Sequence, residues 1–181
     1  MDNTSKLNMK LEIFEYFVLK LFDWKKSKGN NSNIPFTKLQ LQKLLFLTSA
    51  SNSTDKAHGL LDIFDNFYAL QYGPVEMDVY HAMSNDYRFK FLTFENRECT
   101  INDKNQGPLN ITNEQKFLVD SSIDFLRKKN DEYVNMEAYK LVNITHGWTV
   151  WQVAMATANL LDSKMGKMST IDIINSNVKI F

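Results

Sequence analysis

Apolar residues at Met9, Ile13, Phe14, Phe17, Leu21 and Phe22 recur at helical spacing with lysine and glutamate between them. This pattern predicts an amphipathic helix over about 7–26. Gly29-Asn30-Asn31-Ser32-Asn33 ends it as a loop by composition. A second helix opens at Thr37, which stands three residues before Gln40 as in a capping box, while Phe36 and Leu41 sit at the two positions of a hydrophobic staple. Leu39, Leu41, Leu44, Leu45, Phe46 and Leu47 then leave it almost no polar side. Such a helix belongs at the centre of a core.

Residues 49–58 are polar and predict a loop or frayed end. Leu60, Leu61, Phe64, Phe67 and Tyr68 keep a helical period, although Phe67–Tyr72 also suits a short extended run; the helical reading is preferred. Gly73-Pro74 marks a sharp corner, with glycine free to adopt unusual backbone angles and proline suited to the first turn of the next helix. Val75, Val79, Tyr80 and Met83 define that helix. Alternation at Phe89, Phe91 and Thr93, with a return at Cys99-Thr100-Ile101, predicts at most a small β-hairpin near 89–101. Asn102 to Pro108 reads as a linker-like turn too short to separate domains.

Thr112 and Gln115 repeat the capping box before a helix ending near Lys129. Further helices are expected over about 132–146, stopped by Gly147, and over 148–161; Ser169 and Asp172 mark a last short one. With no internal repeat, the 181 residues predict one compact, mainly α domain spanning 1–181.

Composition narrows the function. Hydrophobic residues make up 44% and there are 13 Phe, which argues against disorder. The 21 Lys+Arg balance 21 Asp+Glu, so a protein built to grip phosphate backbones is not expected. The basic runs Lys25-Lys26-Ser27-Lys28 and Arg127-Lys128-Lys129 fall at predicted helix C-termini, where cations complement the helix dipole. One cysteine, Cys99, suits a reducing compartment and reads as a packed small hydrophobe. No apolar run is long enough to cross a bilayer and no signal peptide is apparent, so a cytoplasmic location is expected.

No catalytic or metal-binding residues stand out. His58, His81 and His146 lie far apart, and neither a phosphate loop nor a nucleophile elbow is present. Asp78 and His81, three apart, predict an ion pair rather than a dyad. His146, closing a leucine-containing helix, and Trp151 five residues on are read as a stapled helix–helix corner. The alternative is that they line a groove with the Tyr72–Val75 corner. Trp148 is read as the more exposed tryptophan and as the first candidate interface anchor.

Leu41-Gln42-Lys43-Leu44-Leu45-Phe46, then Phe67-x-Ala69, Tyr72-Gly73-Pro74-Val75 and Val79-Tyr80, followed by Leu141-Val142-Asn143-Ile144-Thr145-His146 and Trp151, resemble the two halves of the Panacea domain. This is the SocA-like antitoxin family, long filed as phage-associated. The resemblance spans about 13–158. It implies a cytoplasmic antitoxin of bacterial or prophage origin that neutralises a toxin encoded in the adjacent gene by direct protein–protein contact, without enzymatic activity or cofactor. The toxins paired with the family include translation-blocking enzymes. Lys43, Tyr72, Gly73, Pro74, Val75, Tyr80, His146, Trp148 and Trp151 are the implied motif or partner-binding positions. The alternatives are an adaptor that delivers a partner to a protease or acts in phage–host interaction, and a DNA-binding autoregulator, which the zero net charge disfavours.

Overall fold

A computed structural model describes residues 3–29, 34–85, 89–102, 107–176 and 179. In chain order the elements are α1 (Asn3–Ser27), β1 (Phe36–Thr37), α2 (Lys38–Ser51), β2 (Phe67–Leu70), β3 (Gly73–Glu76), α3 (Met77–Ser84), β4 (Leu92–Glu95), β5 (Glu98–Ile101), α4 (Asn113–Lys129), α5 (Ala138–His146), α6 (Thr149–Leu160), β6 (Gly166–Lys167) and α7 (Thr170–Ile174). The protein is mainly α with two small antiparallel sheets, ordered β1-β5-β4 and β3-β2-β6.

α2 is the axis of the core. Every residue from Leu41 to Ala50 is buried, and the helix packs against α4, α5 and β3. Its start follows local rules: Thr37 Oγ1 accepts the Gln40 amide at 3.1 Å, and Gln40 Oε1 accepts the Thr37 amide at 2.8 Å. The same reciprocal pair, Thr112 and Gln115, opens α4, and Ser169 caps α7. The β4–β5 hairpin forms within the predicted 89–101 segment, its turn made by Asn96 and Arg97, both at positive φ as a two-residue hairpin loop requires. Buried Glu15 of α1 accepts the Phe91 and Leu92 amides and ties the hairpin to that helix. Cys99 is fully buried there. The basic runs end α1 and α4, where Lys28 and Arg127 both pair with Asp131.

Four expectations are corrected. The helix preferred over Leu60–Tyr68 is a 3-10 turn at Gly59–Asp62 followed by strand β2, so the extended alternative for Phe67–Tyr72 is the one that forms. β2 is flanked by β3 and by β6, and β6 lies about a hundred residues downstream, beyond the reach of local periodicity. Pro74 does not begin a helix: it stands within β3, an edge strand where its missing N–H leaves no ladder bond unmade. α3 starts later, at Met77, with the Glu76 carboxylate accepting the Val79 amide at 2.9 Å. The helix expected over 132–146 is split into a 3-10 turn at Tyr133–Asn135 and α5, and Gly147 closes α5 with φ −71°, without the left-handed turn its glycine suggested. Residues 49–51 belong to α2, with Ser49 and Ala50 buried. The loop at 30–33, the middle of the turn at 103–106 and the final residues 180–181 lie outside the described residues.

Candidate functional site

The two motif segments, distant in sequence, meet at the β2–β3 hairpin. Its loop is Gln71-Tyr72, with Leu70 opposite Gly73 in the register. Among the described residues no strand lies beside the outer edge of β3, and side chains of α2 take that place. Gln42 accepts the Glu76 amide at 2.8 Å and donates to its carbonyl at 3.4 Å, while Lys43 Nζ donates to the Pro74 carbonyl at 2.6 Å. Gln42 and Lys43, polar side chains buried on this helix, thereby find partners, as burial demands.

Lys43 is completely buried. Desolvation with no carboxylate to offset it lowers its pKa to about 7. Gly73 lies against it with φ +92°, and a Cβ there would stand 2.7 Å from Thr145 Oγ1 and 3.1 Å from Lys43 Cε. The glycine is thus required by both its backbone angle and the close approach of α5.

The α5–α6 corner closes the other side of the loop. His146 and Trp151 stack face to face at 3.8 Å and 11°. The Trp151 indole donates to the Leu70 carbonyl at 3.1 Å, and the His146 ring hydrogen-bonds to the Gln71 backbone. Burial, then the nearby Lys43 charge, lowers the His146 pKa. The arrangement is the stapled corner, the staple holding the hairpin loop by its carbonyls; His146 and Trp151 are not among the residues that line the adjacent groove.

This clamping leaves Tyr72 pointing outward. Tyr72 is 52% exposed, edge-on to exposed Tyr139 at 6.4 Å. Together with Leu39, Val75, Tyr80, Met155 and Lys164 it lines a groove of about 790 Å³. Tyr80 is also exposed, at 41%. Lys43, Gly73 and Pro74 form the frame behind the groove, while Tyr72, Val75 and Tyr80 form its wall.

Trp148 departs from expectation. It is fully buried, edge-on to Phe46 of α2 at 5.0 Å, and so anchors the core rather than an interface. Of the two tryptophans in this segment it is Trp151 that is half-buried, while the Trp148 indole packs into the core. Asp78 and His81 also fail to pair: the Asp78 carboxylate binds Lys10 at 2.6 Å and Asn66 at 2.9 Å, while His81 lies edge-on to Tyr80. Gln42, Thr145 and Tyr139 escaped sequence reasoning as site residues. A signal existed for Gln42, a polar side chain beside Lys43 on a helix with almost no polar side.

Asp65, Glu76 and Asp78 bring carboxylate oxygens within 4.8 Å of one another, a spacing compatible with a metal ion. The Lys10 ammonium already binds all three at 2.6–2.8 Å. Burial disfavours that charge, but the three carboxylates outweigh it and raise the lysine pKa. This cluster joins α1 to the start of α3.

The family model described as antitoxin SocA-like, Panacea domain matches residues 41–152. That is well over half of the chain, somewhat less than the 13–158 read from the residues, and it takes in both converging segments. No curated protein and no solved structure matches the chain.

Proposed function

The chain belongs to the antitoxin SocA-like, Panacea-domain family, and from that premise we propose that it neutralises a cognate toxin by direct, stoichiometric binding. Membership supports an antitoxin-type, non-enzymatic role. The finer reading is that the toxin is encoded in the adjacent gene, inhibits translation and is met in the cytoplasm. No helix among the described residues is long and apolar enough to cross a membrane.

One observation carries the proposal to a surface. Both motif segments converge on the β2–β3 loop and brace a groove whose rim bears two exposed tyrosines, Tyr72 and Tyr80. Tyrosine is among the residues that dominate binding energy at protein interfaces, and a rigid frame behind it lowers the ordering cost of binding. Buried Lys43 and Gly73 and half-buried His146 and Trp151 act by holding that frame. The toxin-contacting residues are then the groove wall.

Co-expression should restore the growth of cells poisoned by the neighbouring gene product, with rescue rising in proportion to antitoxin dose. Rescue at strongly sub-stoichiometric dose, with no complex formed, would replace binding by a catalytic or degradative mechanism. A salt-sensitive shift of promoter DNA would instead favour the autoregulator reading.

A further inference from the structure

His146 is held in a way that only its neutral form satisfies. Its ring stacks on Trp151 at 3.8 Å and bonds the Gln71 backbone, while its Nε2 is buried without a hydrogen-bond partner among the described residues. The Gln71 contact therefore falls to the other ring nitrogen, Nδ1. In a neutral imidazole one nitrogen donates and the other is a bare acceptor. Here Nδ1–H meets the Gln71 carbonyl and Nε2 carries the lone pair. A second proton would have to sit on Nε2, where nothing accepts it and solvent does not reach.

The charged groups on the surrounding elements do not compensate an imidazolium. α2 presents Lys43, whose charge acts on the ring with the same sign. α6 contains no Asp, Glu, Lys or Arg. The one carboxylate of β3, Glu76, is bound to Lys10. On α5 itself Tyr139 faces Tyr72 of the hairpin loop, and Lys140 is exposed. Beyond α6, Asp162 and Lys164 are exposed and line the groove. The C-terminus of α5 favours a cation, but burial, then the Lys43 charge, lowers the His146 pKa.

We propose that the His146–Trp151 staple is an acid-sensitive catch on the β2–β3 loop: neutral His146 positions Gln71 and Tyr72, and protonation of its Nε2 releases them. A state in which the ring leaves the stack and regains water binds the proton more readily, so acid favours that state over the clasped one. Release costs the Gln71 bond and the stack that aims the Trp151 indole at the Leu70 carbonyl. β3 stays in place, because Lys43 and Gln42 hold it separately. The groove wall on the loop, Tyr72, is what moves. His146 is thus a positioning residue for the toxin contact, a role that rests on the reading of the groove as the toxin site.

The release is followed in the free chain by NMR from about pH 8 to about pH 5, the range in which histidine changes charge. As His146 titrates, the Trp151 indole signal, assigned with Trp151→Phe, should move to the position of a solvent-exposed indole. The NOEs joining His146 to Trp151 and Tyr72 to Tyr139 should vanish, with far-UV circular dichroism unchanged. His146→Asn, an uncharged donor in the place of Nδ1, should show no pH dependence. His81→Gln, at the exposed histidine beside Tyr80, should respond as the wild type does. If the asparagine variant fails to fold, coincidence of the His146 titration with loss of the wild-type NOEs decides the matter. An indole signal that stays fixed over the whole range overturns the proposal, as does a response that survives in folded His146→Asn or one that brings loss of circular dichroism. Calorimetric titration against the proposed cognate toxin should show affinity falling at least about fivefold over the same range, the low end of ordinary coupling between sites. Equal affinity at both ends, with the loop released, overturns the positioning role. No binding at either end, with the loop released, leaves the catch standing and contradicts the proposed function.

Discussion

Lys43 shows how one side chain couples the frame to pH. Burial lowers its pKa to about 7. Between that value and the ordinary 10.5, the unfolded chain holds a proton that the folded chain has lost, so stability rises with pH across this window. Urea denaturation from pH 7 to 10 should therefore show the wild type gaining stability relative to Lys43→Met. Parallel curves for the two proteins would mean that the amine keeps its proton in the fold. The depressed His146 acts with the same sign but below its ordinary 6.5, outside the window. Gly73 is constrained differently, by φ +92° and by Thr145 Oγ1, which would stand only 2.7 Å from a Cβ at that position. Gly73→Ala should cost about 1–3 kcal/mol, the range for a residue held in a disfavoured backbone region, as read from chemical denaturation; a neutral result would remove glycine geometry from the account. The sequence alone marked Gly73 as a residue of unusual backbone angle, because glycine acts on its own backbone, but the turn itself falls just before it, at Gln71-Tyr72, and Gly73-Pro74 opens β3. It misplaced Trp148, whose environment is Phe46, a partner that only the tertiary fold supplies.

Elements with local start signals were legible. Both capping boxes close as their spacing required, and α2 is as buried as its apolar run implied. Leu44 is fully buried at its centre, so Leu44→Ala should cost about 2–5 kcal/mol in chemical denaturation; a loss under about 1 kcal/mol would make α2 peripheral. β2 was legible only as the less favoured alternative, because Phe67–Leu70 carries a helix-compatible period and its strand character comes from pairing with Gly73–Glu76 and with Gly166–Lys167 far down the chain. The same reason hid half of the site. The motif residues were visible one by one, yet the hydrogen bond from the Trp151 indole to the Leu70 carbonyl, which joins the segments, is set by how α6 docks on the hairpin.

At the scale of the molecule, zero net charge argues for a protein partner over a phosphate backbone, and the family match spans both segments of the braced groove. The frame is largely buried and the two tyrosines of the wall are exposed, so substitutions at the tyrosines should separate binding from folding. Tyr72 and Tyr80 lie 52% and 41% exposed, and their removal leaves the core untouched. The most direct measurement is calorimetric titration of the purified protein against the proposed cognate toxin, for the wild type and for Tyr72→Ala/Tyr80→Ala. The wild type is expected to saturate at a fixed whole-number ratio with affinity in the nanomolar range, about −12 kcal/mol. The double variant, with unchanged melting, should bind at least about tenfold more weakly, a loss of roughly 1.4 kcal/mol. No saturable binding by the wild type would contradict neutralisation by direct contact, and full affinity in the double variant would contradict the groove as its site.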